Sequence, residues 1–465
     1  MLRSAVELAN CIASGDVSAR EVLAAHLDQI QEHNAELNAI VAMFPTEELF
    51  AEADRIDAFD KPVGPLHGLP IAIKDLEDVA GLPTSLGSLS APTTPAVADG
   101  IVASRLRAAG ALIIGKTNTP EFGTGSQTFN EVYGATRNPW DTARTPGGSS
   151  GGAAAALASF MLPIADGSDL GGSLRNPAAL SGVVGLRPSI GRVSEPDTKS
   201  GYLTRLGLSG PMGRSVADAA LGLEALAVHD RSDPMSLPIP DGGFVTRRDP
   251  GQIRVGWLGD TGQFTCESDV LTVSRTAAEQ ITAIGGSIQE ATIDLSYAMD
   301  IFRVLRGLAY RGLGVMAPPE AQALFKDTVK ENIAFGLSLT LDDAIRADAL
   351  RADLQREITA AFEHFDVLAL PTTQVTAFPV EVEYPTEIEG VAMGDYLDWM
   401  QSCCVITPTG CPAISIPAGL DSNGLPVGLQ LVAPIGEEAR LLDIASAMEA
   451  AISFPALSRL LASSA

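Results

Sequence analysis

The stretch Gly147-Gly148-Ser149-Ser150-Gly151-Gly152 runs without a break into an apolar, alanine-rich segment that begins at Ala153. A glycine-serine run taken alone reads as a flexible linker or turn. Placed at the start of a helix, it can equally cradle an anion. Linkers seldom lead straight into an apolar helix, and alanine is the strongest helix former. The pattern therefore predicts a buried helix over 153–161 with a tight glycine-rich entry. No Gly-Lys-Ser/Thr ending follows, which argues against a nucleotide-binding loop.

Elsewhere the chain alternates helical and extended signals. Ser18-Ala19-Arg20-Glu21 is a capping box, and the helix it opens is expected to end near Asn38. An extended segment over 71–74 follows Pro70, a residue that fits only a strand start or edge. Helices are predicted over 101–109, 215–227, 268–284, most of 305–354, and 439–451. Strands are predicted over 111–116, 183–186, 253–258, 367–370, 413–416 and 428–432. This alternation argues for an α/β fold. Residues 229–251, rich in Pro, Gly, Asp and Arg, read as a long surface connection.

Composition excludes several classes. The chain has 465 residues, 46 % of them hydrophobic, and a net charge of −26. A surface this acidic repels nucleic-acid phosphates and anionic lipid heads, so neither nucleic acid nor membrane is an expected partner. The longest apolar stretch, 153–165, is too short to span a bilayer. Five cysteines, with no C-x-x-C pair, suggest neither a disulfide framework nor a zinc site. Five scattered histidines read as surface or core residues. The expectation is a cytoplasmic protein.

Three short pieces carry the chemistry: Lys74 at the end of an apolar strand, Ser149 in the glycine run, and Ser173 after Gly171-Gly172. Each has a bland reading, as a salt-bridged lysine, a linker and a turn. Together they supply a nucleophile, a bridge and a base for acyl transfer without histidine. Ser173 would attack. Leu170, Gly171 and Gly172 precede it on a loop whose glycines let backbone N–H groups converge on a developing oxyanion, at about 3–4 kcal/mol per donor. Lys74 can take a proton only when neutral, which calls for a depression of about three units from ~10.4. Net negative charge opposes that, so local desolvation must dominate. Asp75 should point away from the face carrying Lys74. Ser149 could relay the proton, since a hydroxyl both donates and accepts. The glycines around it would ease an unusual peptide, including a cis one. Asp169 and Arg175 are read as an ion pair bracing the Ser173 loop, with Asn138, Asp141 and Arg144 as scaffolding.

The segments GLPIAIKD (68–75), GKTNTPEFG (115–123), residues 147–178, SGVVGLRPSIGRVS (181–194) and the tail from ITPTGCPAISIPAG through GLPVGLQLVAP resemble the amidase signature family. The similarity covers most of the chain and is weakest between about 225 and 365. It implies one large mixed β-sheet surrounded by α-helices, with no metal and no cofactor. It also implies a Ser–cis-Ser–Lys triad of Ser173, Ser149 and Lys74, oxyanion donors at Leu170, Gly171, Gly172 and Ser173, and an acyl pocket lined by Thr124, Gly125 and Ser126. The organisation expected is a single domain over 1–465. Within it fall an N-terminal helical region of about 1–40, a signature core of about 65–225 and a variable helical region of about 265–365.

The activity implied is hydrolysis of a small-molecule carboxamide or acylamide. A glutamine-hydrolysing subunit of an amidotransferase complex is the alternative. Residues 302–333 lack the tyrosine-rich, Asn-Leu-Ala-Arg-like stretch of such subunits, which favours a free-standing hydrolase. A non-enzymatic binding protein is disfavoured because all three triad positions are occupied. A homodimer is the assembly the resemblance suggests. Pocket specificity is expected from 194–202, 301–316 and 396–400, with Tyr396, Trp399 and Met400 as an apolar wall.

Overall fold

The computed structural model describes residues 3–196, 203–245, 251–452 and 454. Its strands are β1 (Ile40–Met43), β2 (Pro70–Lys74), β3 (Leu112–Thr117), β4 (Ile164–Asp169), β5 (Val184–Arg187), β6 (Leu208–Gly213) and β7 (Arg254–Trp257). They continue with β8 (Ser287–Glu290), β9 (Val367–Pro371), β10 (Glu387–Ile388), β11 (Val391–Ala392), β12 (Ala413–Leu420) and β13 (Pro426–Val432). The main sheet has eight strands in the order β4-β6-β5-β12-β13-β9-β7-β8. It is mixed: β7 pairs in parallel with β8 and β9, and the remaining pairs are antiparallel. A smaller sheet has the order β1-β3-β2, and β10 and β11 form a ribbon.

The site's position follows from two sheet edges. β2 borders the small sheet and β4 borders the large one. The Lys74 backbone N–H donates to Asp166 Oδ1 of β4 at 3.0 Å and joins them. Pro70 opens β2 on that edge, where a missing N–H is tolerated. Strand alternation then sorts the side chains. Ile71 and Ile73 enter one core cluster and Ala72 enters another. Lys74 points to the same side as Ala72, toward the glycine-serine loop.

That loop feeds the helix Gly151–Ala158, in which every residue is buried. It begins two residues earlier than its alanines suggest because Gly151 and Gly152 are already helical. A Cβ at Gly152 would stand 2.4 Å from the Asn118 N and 2.7 Å from the Ala39 O. The close approach of two backbones therefore requires glycine there. The capping box at Ser18 forms as read, on the helix Ala19–Leu37, with Asn38 left-handed at its end. The helical stretch around 305–354 is divided into Ala298–Met316, Pro319–Ala323, Asp327–Ser338 and Leu341–Ala361. Pro318 and Pro319 end the first of these. Strands β4 and β6 have no counterpart in the sequence-based reading. The sequence of β4, Ile-Ala-Asp-Gly-Ser-Asp, is too polar to signal a buried strand.

Candidate active site

Lys74 is 2 % exposed, and no carboxylate lies within ion-pair distance among the described residues. Its Nζ lies 2.7 Å from Ser149 Oγ, 2.9 Å from Ser150 Oγ, 3.1 Å from Ser168 Oγ and 3.3 Å from the Ser168 carbonyl. Every neighbour within reach is thus a neutral oxygen. Burial brings its pKa down from 10.5 to about 7, against the charges of Asp166 and Asp169, which favour the ammonium. Asp75 points the other way, to Lys116, with Nζ to Oδ1 at 3.0 Å. The Gly148–Ser149 peptide is cis.

Ser173 lines the same cavity as Ser149 and Ser168. Its carbonyl accepts the Ser150 N–H at 3.1 Å. No hydrogen bond joins the Ser173 and Ser149 hydroxyls, so the structure brings Lys74 and Ser149 into contact and places Ser173 beside them. The loop before Ser173 is organised by Asp169. This carboxylate accepts the Gly172 N–H at 2.8 Å and the Leu174 N–H at 3.2 Å. It also takes a two-pronged contact from Arg175, each prong 2.9 Å. Burial works against its charge, but Arg175 and Arg187 outweigh it and hold the carboxyl well below the usual range. Gly172 has φ 111°. A Cβ there would stand 2.6 Å from Asn176 Nδ2 and 2.7 Å from Cys403 Cβ.

The residues predicted to bind substrate therefore divide. Leu170 and Gly171 line the cavity. The Gly172 N–H is taken by Asp169, whereas those of Gly171 and Ser173 meet no acceptor among the described residues. Gly125 lines the cavity, but its neighbours brace it. Thr124 Oγ1 is 2.5 Å from the Tyr310 hydroxyl, and Lys326 Nζ donates to the Thr124 carbonyl at 2.7 Å. Ser126 Oγ donates to the Gly148 carbonyl at 3.1 Å and accepts from Asn176 at 2.9 Å.

The cavity holds about 170 Å³. One wall is a stripe of the helix Ala298–Met316, with Phe302, Arg306 and Tyr310 at four-residue steps. The facing wall is Tyr396, Leu397 and Met400. Trp399 lies behind it, edge-on to Phe378 at 5.2 Å. Of the segment 194–202, residues 197–202 lie outside those described. Sequence reading did not single out Ser150, Ser168 or Arg306. Arg306 falls within 301–316, a segment from which pocket specificity was expected. Asp166 accepts the Lys74 N–H and favours the charged form of the Lys74 amine.

Among the described residues no group of His, Cys, Asp and Glu could hold a metal, and no helix is long and apolar enough to cross a membrane.

Comparison with known proteins places this geometry. The Amidase family model matches residues 21–442. The chain is 35 % identical to a glutamyl-tRNA(Gln) amidotransferase subunit of Salinispora arenicola, over 97 % of each protein. It is 36 % identical to an acylamidase of Rhodococcus erythropolis, over 96 % of this chain and 95 % of that one. A bacterial aryl acylamidase of the amidase signature enzymes superposes with a TM-score of 0.90 at 26 % identity, over 98 % of both chains. The chain belongs to the amidase signature family and is an amide-hydrolysing enzyme.

Proposed function

We propose that the enzyme cleaves the C–N bond of a carboxamide or acylamide through an acyl-enzyme on Ser173, releasing a carboxylic acid and ammonia or an amine. The observation that carries this reading is the 2.7 Å contact between Lys74 Nζ and Ser149 Oγ, made by a buried amine with no carboxylate partner among the described residues. In its neutral form that amine has a lone pair to accept the Ser149 proton. Ser149 in turn accepts the proton of Ser173 as Ser173 Oγ bonds to the amide carbon. The negative oxygen so formed is met by the N–H groups of Gly171 and Ser173. Collapse breaks the C–N bond, and the leaving nitrogen takes its proton from Ser149, which recovers one from Lys74. Water then repeats the sequence in place of Ser173 and frees the acid.

The test is covalent. A fluorophosphonate probe should label Ser173, as mapped by mass spectrometry of the digested protein. A Ser173→Ala variant should neither label nor turn over. Parental amide hydrolysis by Ser173→Ala would reject the assignment.

The similarity to the Salinispora arenicola protein supports a second reading, a glutamine-hydrolysing subunit of an amidotransferase complex. Glutamine carries an ammonium as well as a carboxylate, yet no Asp or Glu is among the described cavity-lining residues. Glutaminase activity appearing only with partner subunits would favour this second reading. A reduced, cytoplasmic setting accords with five free cysteines. A homodimer is proposed on family resemblance alone, and sedimentation velocity tests it.

A further inference from the structure

Five arginines are buried in the described structure: Arg175, Arg187, Arg192, Arg205 and Arg306. Four have a carboxylate partner, in Asp169 for the first two, Glu438 for Arg192 and Asp233 for Arg205. Arg306 is 5 % exposed and has none among the described residues. The nearby acids are already engaged: Arg303 holds Asp395 at 2.5 Å and Asp398 at 2.7 Å. Arg306 donates instead to two neutral groups, the Asn332 side-chain carbonyl and the Tyr396 hydroxyl. Its guanidinium also lies 4.3 Å from the Tyr310 ring centroid and 5.3 Å from that of Tyr396.

A guanidinium does not deprotonate in proteins. Burying it without a counter-ion costs several kcal/mol, which cation–π contacts offset by about 2. The other four buried guanidiniums meet this cost within the protein. Of these five, Arg306 alone has no ion-pair partner among the described residues, and it alone lines the cavity that holds Ser149 and Ser173. Among the described residues nothing supplies the missing anion, and the cavity beside the guanidinium is open to a ligand's.

We propose that Arg306 binds a carboxylate on the acyl portion of the substrate, so that the preferred substrates are monoamides of dicarboxylic acids. This rests on the amide-hydrolase reading of the cavity and narrows it. The guanidinium forms a two-pronged contact with the distal carboxylate while the amide end reaches Ser173. The rest of the wall, Phe302, Leu397 and Met400, packs the methylene chain between them.

The experiment compares kcat/KM of the native enzyme for succinamate, glutaramate and adipamate with that for butyramide, pentanamide and hexanamide. Glutamine is included, and fluorophosphonate labelling of Ser173 is followed in parallel. The anionic member of at least one matched pair is expected to be favoured about 10- to 100-fold, the range of a charge-assisted hydrogen-bond pair. The Arg306→Gln change should collapse that ratio, mainly through KM, and Arg306→Lys should restore part of it. Near-ultraviolet circular dichroism checks that each variant is folded. The native series alone decides the matter if a variant does not fold. Equal or better hydrolysis of the neutral amides overturns the proposal, as does faster turnover of glutamine than of glutaramate. If Ser173 labels but no monoamide is cleaved, the Arg306 assignment falls and the hydrolase reading stands. If Ser173 does not label and nothing is cleaved, both fall.

Discussion

Lys116 Nζ sits 3.0 Å from Asp75 Oδ1, and both side chains are fully buried. Asp75 follows Lys74 directly, so strand alternation turns its carboxylate away from the Lys74 amine and onto another lysine. Two buried lysines on paired strands thus have different surroundings. Lys116 has a counter-ion. Lys74 is surrounded by hydroxyls.

Removing that counter-ion should be felt through stability. Asp75→Asn leaves the buried Lys116 amine without a counter-ion, held only by the Glu77 carbonyl and the Thr84 hydroxyl, a loss of about 3–5 kcal/mol. Urea denaturation at neutral pH checks this. An unchanged midpoint would mean that the Asp75 charge contributes nothing to stability.

The amine of Lys74 should govern the pH profile. Its pKa is held at about 7, and only the neutral form accepts a proton. The rate of acylation should therefore rise with pH through about 7 and level off above it. Pre-steady-state release of a chromogenic amine measures this. A rate that falls with rising pH across the same range would rule out a neutral amine as the base.

The same shift predicts a stability effect of opposite benefit. The folded chain holds this proton less tightly than the unfolded one, whose lysine titrates near 10.5. Between about pH 7 and 10.5 the unfolded chain binds more protons, so stability rises with pH. Below pH 7 the full penalty, of order 4 kcal/mol, is present. Lys74→Met should remove this slope while abolishing turnover. Melting curves of parent and variant across that pH window give the comparison.

Asp166 offers a finer control. Burial pushes its carboxyl up to about 6, against the pull of the Lys74 N–H and of Lys74 and Lys116. Above that pH its charge favours ammonium at Lys74. Asp166→Asn keeps an acceptor for the Lys74 N–H and removes the charge. The kcat/KM profile should move to lower pH while its plateau is retained. A shift to higher pH would contradict the electrostatic account.

Gly172→Ala tests the loop before Ser173. The left-handed φ and the contacts a Cβ would make with Asn176 and Cys403 leave no room for alanine. A loss of about 1–3 kcal/mol in stability is expected, together with a fall in kcat as Ser173 shifts. Thermal melts and steady-state rates on a reporter amide decide both.

Local chemistry made much of this protein legible in its sequence. The capping box at Ser18, the Pro70 strand start and the alanine-rich helix after the glycine run are patterns of neighbours, and neighbours carry their own signals. Lys74, Ser149 and Ser173 also stand out as residue types within their motifs. Strand β4 was not legible. Asp166 and Asp169 make it look like a loop, and their burial is tolerated because Lys74, Arg175 and Arg187 supply N–H groups from other parts of the chain. Nor does sequence say which of two lysines has a counter-ion, or that Arg306 has none. Those are matters of distance between segments far apart in the chain. The sequence by itself determined the reactive groups and the local elements that carry them, because propensity and alternation act over a few residues. Only the tertiary structure decided their charge and contacts, because desolvation and Coulomb energy depend on what the fold brings near.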